Sequence, residues 1–204
     1  MSESRVPPAD NTKEPLANDV DVALMLRVGT GDEVAFEELI GRHQNAIIGT
    51  VAKMLGNASD AEDIAQQVFI RLWKCAPRYE PKAKFTTFLF TIARNLVFNE
   101  SRRRSRKKEF SMEEREDDFH LQAPDTQSAT PDDAILQNEL QAAVDKSIAD
   151  LPEKQRLAVV LRRYEGMPYD EIGRILELSI PAVKSQLFRA RTTLRDSLQL
   201  YLDT

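Results

Sequence analysis

Three groups of side chains in this sequence have the types and spacing to act on a polymer. Near the C-terminus, Lys184, Gln186, Arg189, Arg191 and Arg195 are the polar positions of a helix-period segment that buries Val183, Leu187 and Leu194. Lys, Arg and Gln are the side chains that read base edges and hold phosphates. A second group interleaves Tyr79, Phe85 and Phe88 with Lys82, Lys84, Arg94, Asn95, Asn99 and Arg102. Cationic grooves with aromatic surfaces hold single-stranded nucleic acid. Most of the phenylalanines must serve a core, so Tyr79, on a loop, is the better stacking surface than Phe88. The third group is Asp60, Glu62 and Asp63, followed by Gln66, Gln67 and Arg71. Carboxylates at a helix start can simply complement its dipole. Gln66 and Arg71 continue the same polar face, however, and such a face can dock on a protein.

Enzyme chemistry finds little support. The chain has no glycine loop to cradle phosphates, no histidine-based triad and no Cys/His cluster at ligand spacing. The acidic pair Asp117-Asp118 falls in a stretch that cannot form a pocket. Cys75 is the single cysteine, so an internal disulfide is impossible. No cofactor, no metal and no catalysis are expected. No run of about 18 apolar residues spans a membrane, and the polar N-terminus lacks a signal-peptide core; the expected compartment is the cytoplasm.

Charge distribution says more than total charge. The 204 residues sum to −5. Between Arg71 and Lys108, twelve Lys/Arg face only Glu80 and Glu100, a local charge of +10. Between Phe110 and Glu139, nine acids face one Arg, a local charge of −8. Binding responds to the field at one face rather than to the sum. The basic run Arg102 to Lys108 is equally compatible with a solvated helix end.

The elements that must position these groups are helical. Residues 1–18 read as a disordered leader. A first helix starts near Asp19 and ends at Gly29-Thr30-Gly31. Asp32 caps a second, with Phe36, Leu39, Ile40, His43, Ile47, Val51, Met54 and Leu55 on its apolar stripe. His43, lying on that stripe, is expected to be a packed core or rim residue. Ser59 with Glu62 forms a capping box for a third helix through Ile64, Val68, Leu72 and Trp73. Pro77 and Pro81 bracket a basic loop. A fourth helix buries Phe85, Phe88, Leu89, Ile92, Ala93 and Leu96 and fades at Arg102-Arg103-Arg104. Residues 106–131 are acidic and aperiodic, the composition of a flexible linker. Beyond them, helices are expected over about 133–149, from Leu151-Pro152 to Gly166, over 168–176 and over 180–198. The last two, joined by Glu177-Leu178-Ser179, form a helix-turn-helix whose second helix can enter a major groove. The expected fold is therefore all-α: two small helical domains, 19–105 and 132–204, joined by a flexible linker.

Three segments then resemble one family in the right order. Asp60 to Trp73 resembles the polymerase-binding region of bacterial sigma factors, and Phe85 to Asn95 resembles their −10 region. Leu151 to Arg156, Tyr164-Glu165-Gly166, Val183-Lys184-Ser185 and Arg189-Ala190-Arg191 resemble their −35-reading domain. Two domains and a linker are the minimal layout of the extracytoplasmic-function (ECF) group, and the resemblance covers about 19–200. It implies a transcription initiation subunit that docks on the clamp helices of the largest RNA polymerase subunit through Asp63, Gln66, Gln67 and Arg71. It implies capture of the melted −10 strand by Tyr79, Lys82, Lys84, Phe85, Thr87, Asn95, Asn99, Arg102 and Arg103. It implies −35 duplex reading by Ser179, Lys184, Ser185, Gln186 and Arg189, contact with the polymerase flap, and restraint by an anti-sigma factor, which could hold it at the membrane. Pro168, Glu177, Pro181 and Gln186 depart from the common pattern and leave the −35 preference open. Three other readings are a stand-alone helix-turn-helix regulator with a sensing N-terminal domain, an enzyme, and a helical adaptor.

Overall fold

The computed structural model describes residues 19–56, 59–110 and 131–202, and among them the regular structure is helical, with no strand. The expected leader and residues 111–130 of the expected linker lie outside the described residues. Helix α1 (Val20–Val28) begins where extended Asp19 accepts a hydrogen bond from the Asp21 amide at 3.0 Å. Helix α2 (Glu33–Leu55) begins where Asp32 accepts from the Ala35 amide at 3.0 Å, and it stops at left-handed Gly56. Side chains of this kind satisfy amides that the first helical turn leaves unpaired. Helix α3 spans Ser59–Cys75 and continues into a 3-10 turn, Ala76–Arg78. The Ser59 hydroxyl of the expected capping box lies outside the described residues.

Helix α4 runs Phe85–Phe110, past the expected domain end at 105 and into the expected linker. Its apolar periodicity stops near Phe98, but ion pairs continue the helix. Glu100 accepts from Arg103 at 2.7 and 2.8 Å and from Arg104 at 3.0 Å, the i+3 and i+4 geometry that supports a solvated helix. Arg104 also reaches Asp60 on α3. Then follow α5 (Pro131–Ala149), α6 (Glu153–Arg163), α7 (Tyr169–Leu176), α8 (Ile180–Ser197) and short α9 (Gln199–Leu202). Pro152 stands just before α6 as its cap residue, not inside its first turn.

The first four helices close around Met25, Leu39, Ile47, Val51, Val68, Leu72, Phe85 and Leu89, all fully buried. Burying each large apolar side chain stabilises the fold by roughly 1.5–3 kcal/mol. Phe90 and Val97 are also buried, while Phe88 and Leu96, expected in the core, are only half-buried against it. His43 lies at the rim, its Nε2 2.8 Å from the Asp21 carboxylate and its ring 5.2 Å from Phe85.

The second set of helices buries Leu151, Leu161, Ile172, Ile175, Leu176, Val183 and Ala190. Leu187 and Leu194, expected to be buried, are half-exposed, and Ala190 takes the inward position instead. The α7–α8 turn is closed by amides of Leu178 and Glu177 donating to the carbonyls of Gly173 (2.8 Å) and Arg174 (3.4 Å). This is a Schellman closure, whose left-handed residue is usually glycine; here it is Glu177, at φ 56°. Gly173 is required on packing grounds, since a Cβ there would lie 2.7 Å from the Leu178 carbonyl oxygen. Ser179 caps α8, accepting from the Ala182 amide at 3.4 Å.

The two sets of helices pack on each other. Helix α4 contacts α7, and α2 contacts both α5 and α6. One connected apolar cluster runs from Val22 through Leu89 to Leu161, Ile172 and Val183.

Candidate polymerase and nucleic-acid interfaces

The first face is a groove between α2 and α3. Phe36 and Ile40 project from α2 and Phe69, Ile70 and Trp73 from α3, around a volume of about 830 Å³. Phe36 and Trp73 meet with ring centroids 4.9 Å apart. Ile70 is 53% exposed, so the groove opens to solvent. Glu33, Glu37, Glu62, Gln66 and Lys74 form its polar rim. The expected docking residues Asp63, Gln66, Gln67 and Arg71 are all exposed on α3. They do not share one site: Gln66 lines the groove, whereas Arg71 lines a cleft on another side of the helix with Asn95, Asn99 and Arg102. The apolar wall was missed because the α2 stripe reads as one core face. The stripe is too wide for one core, and Phe36 and Ile40 fall at its outer edge.

The second face is α4 with the loop before it. Asn95, Asn99, Arg102 and Arg103 are exposed along α4, with Arg103 paired to Glu100. That pairing holds the Glu100 carboxyl down at about 2, through hydrogen bonds from Arg103 first and Arg104 after it. Lys82 is exposed and paired to Glu80. Phe85 is a correction to the expected set: it is 0% exposed, a core residue that starts α4, and it cannot offer a face to a base. Tyr79 is half-buried, with its ring 5.1 Å from Phe88 and its hydroxyl buried without a partner. Burial pushes its phenol up to about 12. Thr87 is buried and Lys84 half-exposed, and both meet the second set of helices. Lys84 lies 2.6 Å from one oxygen of Glu171, and the Thr87 hydroxyl donates to the other at 3.4 Å. The Glu171 partner raises the Lys84 ammonium.

Further contacts tie the same two bodies. Arg94 donates to Glu177 at 2.8 Å and also to the Asn95 side-chain carbonyl, and its proximity lowers the Glu177 carboxyl. Thr50 on α2 donates to Glu165 at 3.1 Å; burial raises that carboxyl. Lys53 lies 4.4 Å over the Tyr164 ring. Half-buried Arg156 donates to the carbonyls of Met54 and Leu151.

The third face is α8. Ser179, Lys184, Ser185 and Arg189 are exposed, and Gln186 is half-exposed. Phe188, between them, is 70% exposed, a feature the polar spacing alone did not flag. Pro181 sits in the first turn of α8, where its missing amide donor costs nothing. The helix thus presents amide, ammonium and guanidinium groups with no acidic residue in its first turn. Among the described residues no three His, Cys, Asp or Glu converge to hold a metal, and no helix is long and apolar enough to cross a membrane.

Two family models match, in chain order: sigma-70 region 2 over residues 39–107 and sigma-70 region 4 over residues 141–194. The chain is 31% identical to the RNA polymerase sigma-H factor of Pseudomonas aeruginosa, covering 90% of this chain and 96% of that protein. It is 32% identical to the ECF sigma factor SigW of Bacillus subtilis, covering 85% and 94%. In fold it is similar to the sigma factor RpoE of Bartonella quintana, solved with the anti-sigma factor NepR, at TM-score 0.67 and 22% identity over 80% of this chain and 96% of that one. The ordered pair of sigma-70 regions and relatives matched over nearly their whole length lead to one conclusion: this chain belongs to the sigma-70 family, as an ECF sigma factor acting in transcription initiation.

Proposed function

We propose that this chain binds core RNA polymerase through the α2–α3 groove, reads −35 duplex with α8 and holds the melted −10 strand along α4, without catalysis of its own. The observation that carries this reading is the coexistence of an open apolar groove, a basic helix face and a helix-turn-helix on one short chain. A stand-alone regulator needs only the last of these. In the groove, Phe36, Ile40, Ile70 and Trp73 supply apolar contact area and Gln66 a rim hydrogen bond; Asp63 and Gln67 extend the polar contact along α3. On α4, Asn95, Asn99, Arg102 and Arg103 face the strand together with Arg71, and Lys82 and Lys84 hold its phosphates. Tyr79 stacks on a base once its ring is uncovered. On α8, Gln186 contacts a base edge, Lys184 and Arg189 contact base or phosphate, and Ser179 and Ser185 contact the backbone, since phosphate contacts position a helix and base contacts specify sequence. Residues 132–204 also meet the polymerase flap. An anti-sigma factor restrains the chain in the cytoplasm or at the membrane, as the complex of the Bartonella relative suggests.

The test is a titration of core polymerase with the chain, followed by run-off transcription on a promoter fragment. The reading predicts a stable one-to-one complex and a discrete transcript that core polymerase alone does not make. Sequence-specific DNA binding with no polymerase association would favour the stand-alone regulator.

A further inference from the structure

One edge of the face proposed to hold promoter DNA, at Lys84, Thr87 and Arg94, is occupied in this structure by carboxylates of the helix-turn-helix, while Asn95, Asn99, Arg102 and Arg103 stay exposed. Glu171 lies between Lys84 at 2.6 Å and Thr87 at 3.4 Å, with a side chain only 8% exposed. Glu177 meets Arg94, whose side chain is 11% exposed, at 2.8 Å. These α4-side groups are cations and a hydroxyl, the donors that phosphates also use. Glu171 lies in α7 and Glu177 is the residue that caps its C-terminus, so one short element presents both. Glu177 holds a left-handed conformation that favours glycine, and in it the carboxylate reaches Arg94. Apolar packing between α4 and α7 lies beneath the ion pairs.

We infer that Glu171 and Glu177 act as a phosphate-mimicking latch, which holds the free chain closed over the Lys84–Arg94 edge of its −10 face and must be released before strand DNA can engage the whole of that face. The latch rests on the reading of α4 as a strand-binding face, and it adds that access to this face is gated from within the chain. Ion pairs with one exposed partner are weakened by salt, so salt and competing phosphates both favour opening.

The test uses the full chain and two readouts: the radius of gyration by solution scattering, and affinity for an oligothymidine of about twelve nucleotides at low salt. The double variant Glu171→Gln/Glu177→Gly removes both carboxylates, and glycine at 177 keeps the turn foldable. Asp150→Asn/Asp196→Asn changes net charge equally at exposed positions away from the latch. The expected result is a larger radius of gyration for the first variant only. Oligothymidine binding should also be about tenfold tighter than in the charge control, because strand affinity follows the number of accessible cations. Arg94→Glu alone should open the chain, and Arg94→Glu/Glu177→Arg should close it again. Identical radii and affinities in latch and control variants would overturn the latch. Opening without oligothymidine binding by any variant would keep the latch and overturn the strand-binding reading of α4.

Discussion

The α2–α3 groove and the α4 face differ in how they are kept. The groove is apolar, open and bordered by polar side chains, and none of the described residues covers it. The α4 face is basic and polar, and α7 closes one edge of it through Lys84–Glu171 and Arg94–Glu177. An apolar groove needs only a shape-matched partner. A cationic face attracts any polyanion, so its use is governed by what else can neutralise it. The comparison predicts that substitutions in the groove act on partner affinity alone, whereas substitutions around α4 and α7 couple DNA affinity to closure.

The sharpest way to break that separation is at Gly173. Its Cβ would meet the Leu178 carbonyl oxygen at 2.7 Å. Gly173→Ala should therefore destabilise the helix-turn-helix by about 2 kcal/mol or more, in the range of overpacked sites. Thermal unfolding followed by circular dichroism would show it, with groove-dependent polymerase binding retained. In the groove itself, Ile70→Asp places a charge at an exposed apolar contact. It should reduce core polymerase affinity by about 2 kcal/mol, the scale of an interface hot spot. Oligothymidine binding should be unchanged, and a fall in both affinities would show that the two faces are not independent.

At α8, Gln186→Ala should relax preference at one −35 position by about 1–3 kcal/mol, measured on single-base duplex variants at fixed salt. A uniform loss across the set would assign Gln186 to the phosphates. Glu177→Gly should move stability the other way, raising it by about 1 kcal/mol as the left-handed strain of a non-glycine residue is removed. The smallest effect is expected in acid. Glu100 has its carboxyl lowered to about 2 by Arg103 and Arg104. Its contribution is thus fully present above the ordinary carboxylate range and is lost as pH falls from about 4.5 toward 2. Fraying of the α4 C-terminal turns over that interval, absent in Glu100→Gln, is the measurement.

Much of the fold is legible in the residue pattern because its signals are local. Asp19, Asp32 and Ser179 cap helices as their types predict, and the α7–α8 turn follows from Glu177-Leu178-Ser179. The sites are less legible because they depend on packing between elements. Phe85 carries the right residue type for stacking but starts α4 from inside the core. Phe36 and Ile40 look like core positions but edge an open groove. Glu171 and Glu177 look like surface acids of a small helix, and only the placement of α7 against α4 gives them Lys84 and Arg94. Helix α4 continues past its apolar period into a stretch where Glu100 pairs with Arg103 and Arg104, which is why its end was expected sooner.

The claim on which the rest depends is that this chain directs RNA polymerase to promoters. Reconstitution with core polymerase on a genomic promoter library, followed by start-site sequencing, tests it most directly. The account predicts start sites preceded by one shared pair of elements near −35 and −10, lost with Ile70→Asp and altered at one −35 position with Gln186→Ala. Start sites identical to those of core polymerase alone, with the chain bound to DNA by itself, would contradict it.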